Sequence, residues 1–231
     1  MRRLGTLVFV LALCAALSAC GSSASRPSSP KAVIASILSA ALAQKSVQYT
    51  ETVTRGSYGT YRSTYNVSAD SGTKHLNFYY GETMDARLVG HTIYVRAARL
   101  LLEMYLNLSE GQADKYAWQW ISIPRDDKRY AHLAYGLTLA SVGHAVIPHG
   151  RLKVLTKHWR EQQLLDVRGT HGPQRDDYYE LTATPTGKPL PVTYSYRWGT
   201  YVINGSFSRW NESVSVHAPL YSTPIATVRG G

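Results

Sequence analysis

Two cysteines, eight histidines and two adjacent acidic pairs are the groups in this chain with intrinsic reactivity. His144 and His149 stand on either side of Pro148, a spacing with no helical logic for holding a metal. His149, His158 and His171 would have to converge with Asp176 or Asp177 to form a metal site, and nothing in their spacing brings them together. Asp126-Asp127 and Asp176-Asp177 are direct neighbours, and neighbours on a strand point to opposite faces, so neither pair can share acid–base work. Flanked by Arg125, Lys128 and Arg175, they read as solvated ionic turns. The sequence contains no Gly-x-Ser-x-Gly elbow, phosphate loop or paired-glycine dinucleotide motif. The expectation is a protein that is not an enzyme, with no catalytic residue, no metal and no cofactor. Of the thiols, Cys14 lies inside the apolar run Leu7–Leu17, and Cys20 follows Leu17-Ser18-Ala19. With Arg2 and Arg3 ahead of it, that run has the layout of a secretory signal, too short to span a bilayer as a stable anchor.

Leu17-Ser18-Ala19-Cys20 resembles a bacterial lipoprotein signal. The resemblance implies that the Cys20 thiol is joined to diacylglycerol and that residues 1–19 are removed. The protein would then lie on the extracytoplasmic side of the cell membrane, tied to it through Cys20. One acyl chain anchors marginally and two anchor stably. Residues 20–29 are Ser-rich and read as a flexible tether.

Removal of residues 1–19 leaves 212 of 231 residues, enough for one domain with a single core, expected over residues 30–222 with a short tail at 223–231. Cys20 is then the remaining cysteine, so no internal disulfide supports the fold. Arg2 and Arg3 leave with the signal and take the formal charge from +10 to +8. A basic surface beside a membrane favours anionic headgroups or wall polymers. Nucleic acid is not expected as a partner, because no helix carries a run of Lys and Arg. The 17 tyrosines against 3 phenylalanines suit strands whose inner face is partly wet or meets an amphipathic ligand.

The elements follow from periodicity. Ser29-Pro30 gives a cap and a first-turn proline, and Val33, Ile34, Ile37, Leu38, Ala41 and Leu42 recur at helical spacing, predicting a helix over 30–45. Its other face lacks the Lys and Arg of a membrane-surface helix, so the apolar stripe should cover a sheet. Period-two alternation then predicts strands at Val47–Val53, Tyr61–Val67, Leu76–Tyr80, Met84–Val89 and Ile93–Arg96, with turn residues between them. Ala97–Leu108 and Arg129–Val142 read as helical, with a short strand at Trp118–Ile123 between them and a loop at Gly143–Gly150. Strands return at Leu152–Leu155, Leu164–Gly169, Tyr178–Thr184, Val192–Trp198 and Tyr201–Phe207.

This order resembles the LppX/LprG-type lipoproteins of the actinobacterial envelope and the related LolA-like half-barrel fold. The residues that carry the resemblance are Leu88–Val95, Pro189-Leu190-Pro191-Val192 and the closing block Phe207–Pro219, where Asn211 follows Trp210 in place of the family's usual glycine. The resemblance implies an α+β fold: a curved antiparallel sheet, or half-barrel, with helices on its concave face. It also implies a carrier or sensor that binds a lipid or lipopeptide between sheet and helices. The inward positions that would line such a space are Leu76, Phe78, Tyr80, Ile93, Val95, Tyr194, Tyr196, Trp198, Tyr201, Ile203 and Phe207. Arg96 and Arg197 stand near enough in sequence to meet a headgroup at the mouth. Alternation alone does not separate lining from packed core. The same fold with a solid interior would be an interaction module for an envelope protein partner.

Overall fold

The computed structural model describes residues 29–159, 161–170, 177–185 and 187–230. Cys20, the segment 1–19 expected as a signal and most of the expected tether lie outside them. Helix α1 (Pro30–Leu42) starts where the sequence places it: Ser29 Oγ accepts a hydrogen bond from Ala32 N at 3.3 Å, and Pro30 occupies the first turn. Strands β1 (Ser46–Arg55), β2 (Thr60–Ser68), β3 (Gly72–Asn77), β4 (Thr83–Val89) and β5 (Thr92–Ala97) follow as a meander. Helices α2 (Arg99–Leu106) and α3 (Glu110–Tyr116), strand β6 (Ile121–Pro124) and helices α4 (Tyr130–Ala134) and α5 (Leu139–Ala145) form the middle. Strands β7 (Arg151–Trp159), β8 (Gln162–Thr170), β9 (Tyr178–Ala183), β10 (Pro191–Trp198) and β11 (Tyr201–Ser208) complete a second meander. The chain ends in β12 (Thr223–Pro224) and α6 (Ile225–Gly230).

All twelve strands belong to one curved sheet, ordered β12-β6-β5-β4-β3-β2-β1-β11-β10-β9-β8-β7. Every pairing is antiparallel except the short parallel one between β12 and β6. The first and second meanders meet where β1 pairs with β11, in a register that sets Glu51 opposite Gly205. Helices pack on the sheet's inner face, which makes this an α+β half-barrel.

The inner face carries two apolar clusters. One joins β3–β6 to α2, α3 and α6, and its Leu76, Ile93, Val95, Leu101, Leu102, Ile121 and Ile123 have no exposed surface. The other joins α1 and α5 to β1, β2, β8, β9 and β11 through residues such as Ile37, Val47, Val142, Val167 and Leu181. Full burial of each such side chain contributes about 1.5–3 kcal/mol.

Three expectations are corrected. The strand expected at Leu76–Tyr80 stops at Asn77, because Tyr80 has φ 58° within a 3₁₀ turn and cannot continue the pleat. The helix expected at Arg129–Val142 is two helices, broken at Gly136 (φ 79°), and the second runs three residues into the expected loop. The tail expected at 223–231 is an integral part of the domain over its described residues. Ile225 and Val228 are buried in the first cluster, and Arg229 Nη2 donates to Leu106 O at 3.1 Å. Residues between β11 and β12 cross the sheet to reach that edge. Asn211 starts the crossing with φ 66°, its side chain accepting from Lys45 N at 2.8 Å and donating to Gln44 Oε1 at 2.7 Å. Asparagine tolerates that left-handed backbone, which is why it can stand where glycine is usual.

Candidate functional site

A cavity of about 420 Å³ lies between the two apolar clusters, floored by β1, β2, β3, β9, β10 and β11 and covered from α2, α4 and α5. Its origin is a row of inward positions read across the sheet. Glu51 pairs with Ser63 on β2 and with Gly205 on β11, and Gly205 pairs in turn with Tyr194 on β10. On one side of Glu51, Gly205 makes room for the Tyr194 ring, and on the other the small Ser63 leaves a hollow where Leu or Ile would have filled the core. Around it stand eight tyrosines: Tyr61, Tyr65, Tyr179, Tyr194, Tyr196 and Tyr201 from strands, Tyr105 from α2, and Tyr135 after α4.

These rings are ordered against one another. Tyr49 and Tyr65 stack at 4.1 Å, and Tyr179 and Tyr196 at 4.4 Å with His149 edge-on to Tyr179 at 5.5 Å. Tyr105 stacks on His132 at 5.9 Å. Burial raises the pKa of Tyr61, Tyr65, Tyr105, Tyr135 and Tyr194, and pushes Tyr196 up to about 12. The lining is therefore one of neutral phenols, each with an apolar face and a donor at its tip.

Two charged residues face the same space. Glu51 accepts a hydrogen bond from the Tyr194 hydroxyl at 2.7 Å. The contact needs Gly205, since a β-carbon there would sit 1.9 Å from the Tyr194 ring. Lys74 reaches in from β3, its Nζ 5.3 Å from the Tyr65 ring centre and 5.9 Å from that of Tyr105. Desolvation lowers its pKa, against the pull of Glu51 in the opposite direction.

The structure distributes the sequence-derived candidates as follows. Tyr194, Tyr196, Tyr201 and Ile203 line the cavity. Leu76, Ile93 and Val95 are packed solid in the first cluster, and Phe78 leans on it. Phe207 is enclosed by the rings of Tyr49, Tyr194 and Trp210 at 5.7–5.9 Å and belongs to the second cluster. Tyr80 is fully exposed on its turn, and Trp198, 62% exposed, ends β10 at the hairpin tip beyond the helices. Arg96 and Arg197 do not reach the cavity, because each alternates with an inward neighbour. Arg96 pairs with Asp85 at 2.7 Å and lies over Trp120, and Arg197 lies over Tyr178.

Sequence reasoning missed Glu51, Ser63 and Lys74 as site residues, and with them the strand tyrosines Tyr61, Tyr65 and Tyr179 and everything the helices contribute. A signal was present for Glu51 and Ser63, each a polar residue at an inward position of an alternating strand, whereas Lys74 precedes the strand expected from Leu76. Of the histidines, His132 and His149 line the cavity. Among the described residues, no three His, Cys, Asp or Glu side chains are grouped to hold a metal, and His171 and Asp176 lie outside them. Among the described residues no helix is long and apolar enough to cross a membrane.

No family model matches the sequence, and no curated protein matches it. Solved structures do. The lipoprotein LppX of Mycobacterium tuberculosis superposes with a TM-score of 0.51 at 16% identity, over 82% of this chain and 100% of that one. LprF of Mycobacterium bovis gives 0.49 at 12% identity, over 82% and 96%. A LolA superfamily protein of Nitrosomonas europaea gives 0.31 at 10%, over 79% and 94%. Strand order, helical cover and the match to LppX over that protein's full length give this chain the LppX-type half-barrel fold.

Proposed function

We propose that this chain is an extracytoplasmic lipoprotein, anchored through Cys20, that binds an amphipathic lipid or lipopeptide in the half-barrel and carries or shields it without chemical change. The observation that supports this reading most is the cavity itself. Its 420 Å³ falls within the roughly 300–1,000 Å³ of small-molecule sites. A half-barrel interior closed by its own side chains would have favoured the interaction module instead. The tyrosine faces suit an acyl chain, whose burial contributes about 25 cal/mol per Å² of apolar area. The phenol tips and the two charged residues suit a polar group at the same site.

The test is native mass spectrometry, with lipid extraction, of the protein purified from its own membranes. A stoichiometric lipid or lipopeptide is expected. A ligand-free species, or one stoichiometric protein partner and no lipid, would overturn the reading. Cys20→Ala tests the anchor separately: it should move the protein from the membrane to the aqueous fraction and leave the described fold intact.

A further inference from the structure

Lys74 is the group in this cavity whose needs the protein does not meet. It shares the inward parity of Gly72 and Leu76, and it lies between Tyr65 on β2 and Ala86 on β4. Among the described residues its ammonium has no carboxylate within 4.0 Å and no hydrogen-bond acceptor, and its recorded contacts are with two tyrosine rings. Glu51, by contrast, is held by the Tyr194 hydroxyl. An apolar chain entering the cavity would strip water from three N–H donors and leave them facing rings alone, an outcome that opposes binding of a wholly neutral lipid. An anionic oxygen on the ligand would remove that penalty, and the neutral phenols nearby would add donors to it.

Resting on the reading that the cavity is the ligand site, we propose that its ligand is an amphiphile carrying an anionic group, a carboxylate or a phosphate, which pairs with Lys74. Glu51 opposes that anion and sets how tightly it is held.

The experiment titrates the full chain, stripped of bound lipid, with three probes by calorimetry. Laurate has chain and charge, methyl laurate has the chain without the charge, and inorganic phosphate has charge without a chain. The wild type should bind laurate about tenfold or more tighter than methyl laurate. Lys74→Met should erase that preference, keep methyl laurate affinity within about twofold and melt no lower than wild type, since it removes a desolvated charge without removing volume. Glu51→Gln should tighten laurate. Equal binding of acid and ester by the wild type, or a preference that survives Lys74→Met, overturns the anionic assignment and leaves the lipid-binding reading standing. Lys74-dependent binding of phosphate with no binding of laurate overturns the amphiphile and keeps the anion. Failure of all three probes overturns both.

Discussion

Gly205 is where a missing side chain decides the chemistry of the site. Its backbone is the surface over which the Tyr194 ring crosses β11 to reach Glu51. Gly205→Ala should therefore expel the ring, break the 2.7 Å hydrogen bond and cost about 1–3 kcal/mol in urea unfolding. Tyr194→Phe separates the two effects. It keeps the ring and removes the donor, and should cost about 1–3 kcal/mol if the carboxylate is left without another partner. A Gly205→Ala protein as stable as wild type would mean the ring has a second seat. Glu51 was readable as an inward residue from alternation alone, and Lys74 became one only when β3 proved to start at Gly72. Their joint role was not readable, because β3 and β1 are separated by β2 and neither strand's sequence states its distance from the other.

At the scale of elements, the predicted meanders and the start of α1 stand where caps and periodicity placed them, because caps and turn residues act locally, while α1 ends at Leu42, three residues short of the expected 45. The failures came where tertiary contact overrode pattern. Leu76, Phe78 and Tyr80 alternate like a strand, but the chain turns after Asn77 so that β4 can return at Thr83. Gly136 interrupts an otherwise helical stretch because the backbone there passes over Tyr49, whose hydroxyl donates to Gly136 O at 3.0 Å. The last eight described residues carry too little periodicity to be recognised, yet they close the β6 edge. Ile225→Ala should cost about 2–4 kcal/mol by thermal or urea unfolding, a core penalty that a frayed tail would not show.

For the molecule as a whole, the tyrosine excess has a thermodynamic consequence. Tyr49, Tyr65 and Tyr194 are buried as phenols with pKa values raised above the ordinary 10.0, chiefly by desolvation. In the unfolded chain they lose their protons near pH 10, and in the folded chain they keep them. Above pH 10 the unfolded state thus binds fewer protons, and stability falls as pH rises; below it both states hold the protons and the effect vanishes. Each such tyrosine contributes up to about 1.4 kcal/mol per pH unit in that window. Spectrophotometric titration should show Tyr49, Tyr65 and Tyr194 ionising only together with loss of the fold. A single smooth titration of all 17 with the fold intact would contradict this burial. A bound ligand should raise the melting temperature, and go on raising it with the logarithm of its free concentration after the site is full.

The sequence by itself determined the N-terminal signal pattern, the absence of catalytic motifs and the strand–helix order. All of these rest on local composition and on periods of two and 3.6 residues. The half-barrel class came from the resemblance to the LppX/LprG-type lipoproteins. Which inward side chains pack and which face empty space was decided only by the tertiary structure. Leu76 and Tyr196 obey the same alternation, but one meets helices α2–α4 and the other faces a cavity that Ser63, three strands away, also lines. A cavity is a property of the rows across a sheet, and those rows are set by strand register, which joins residues more than a hundred positions apart.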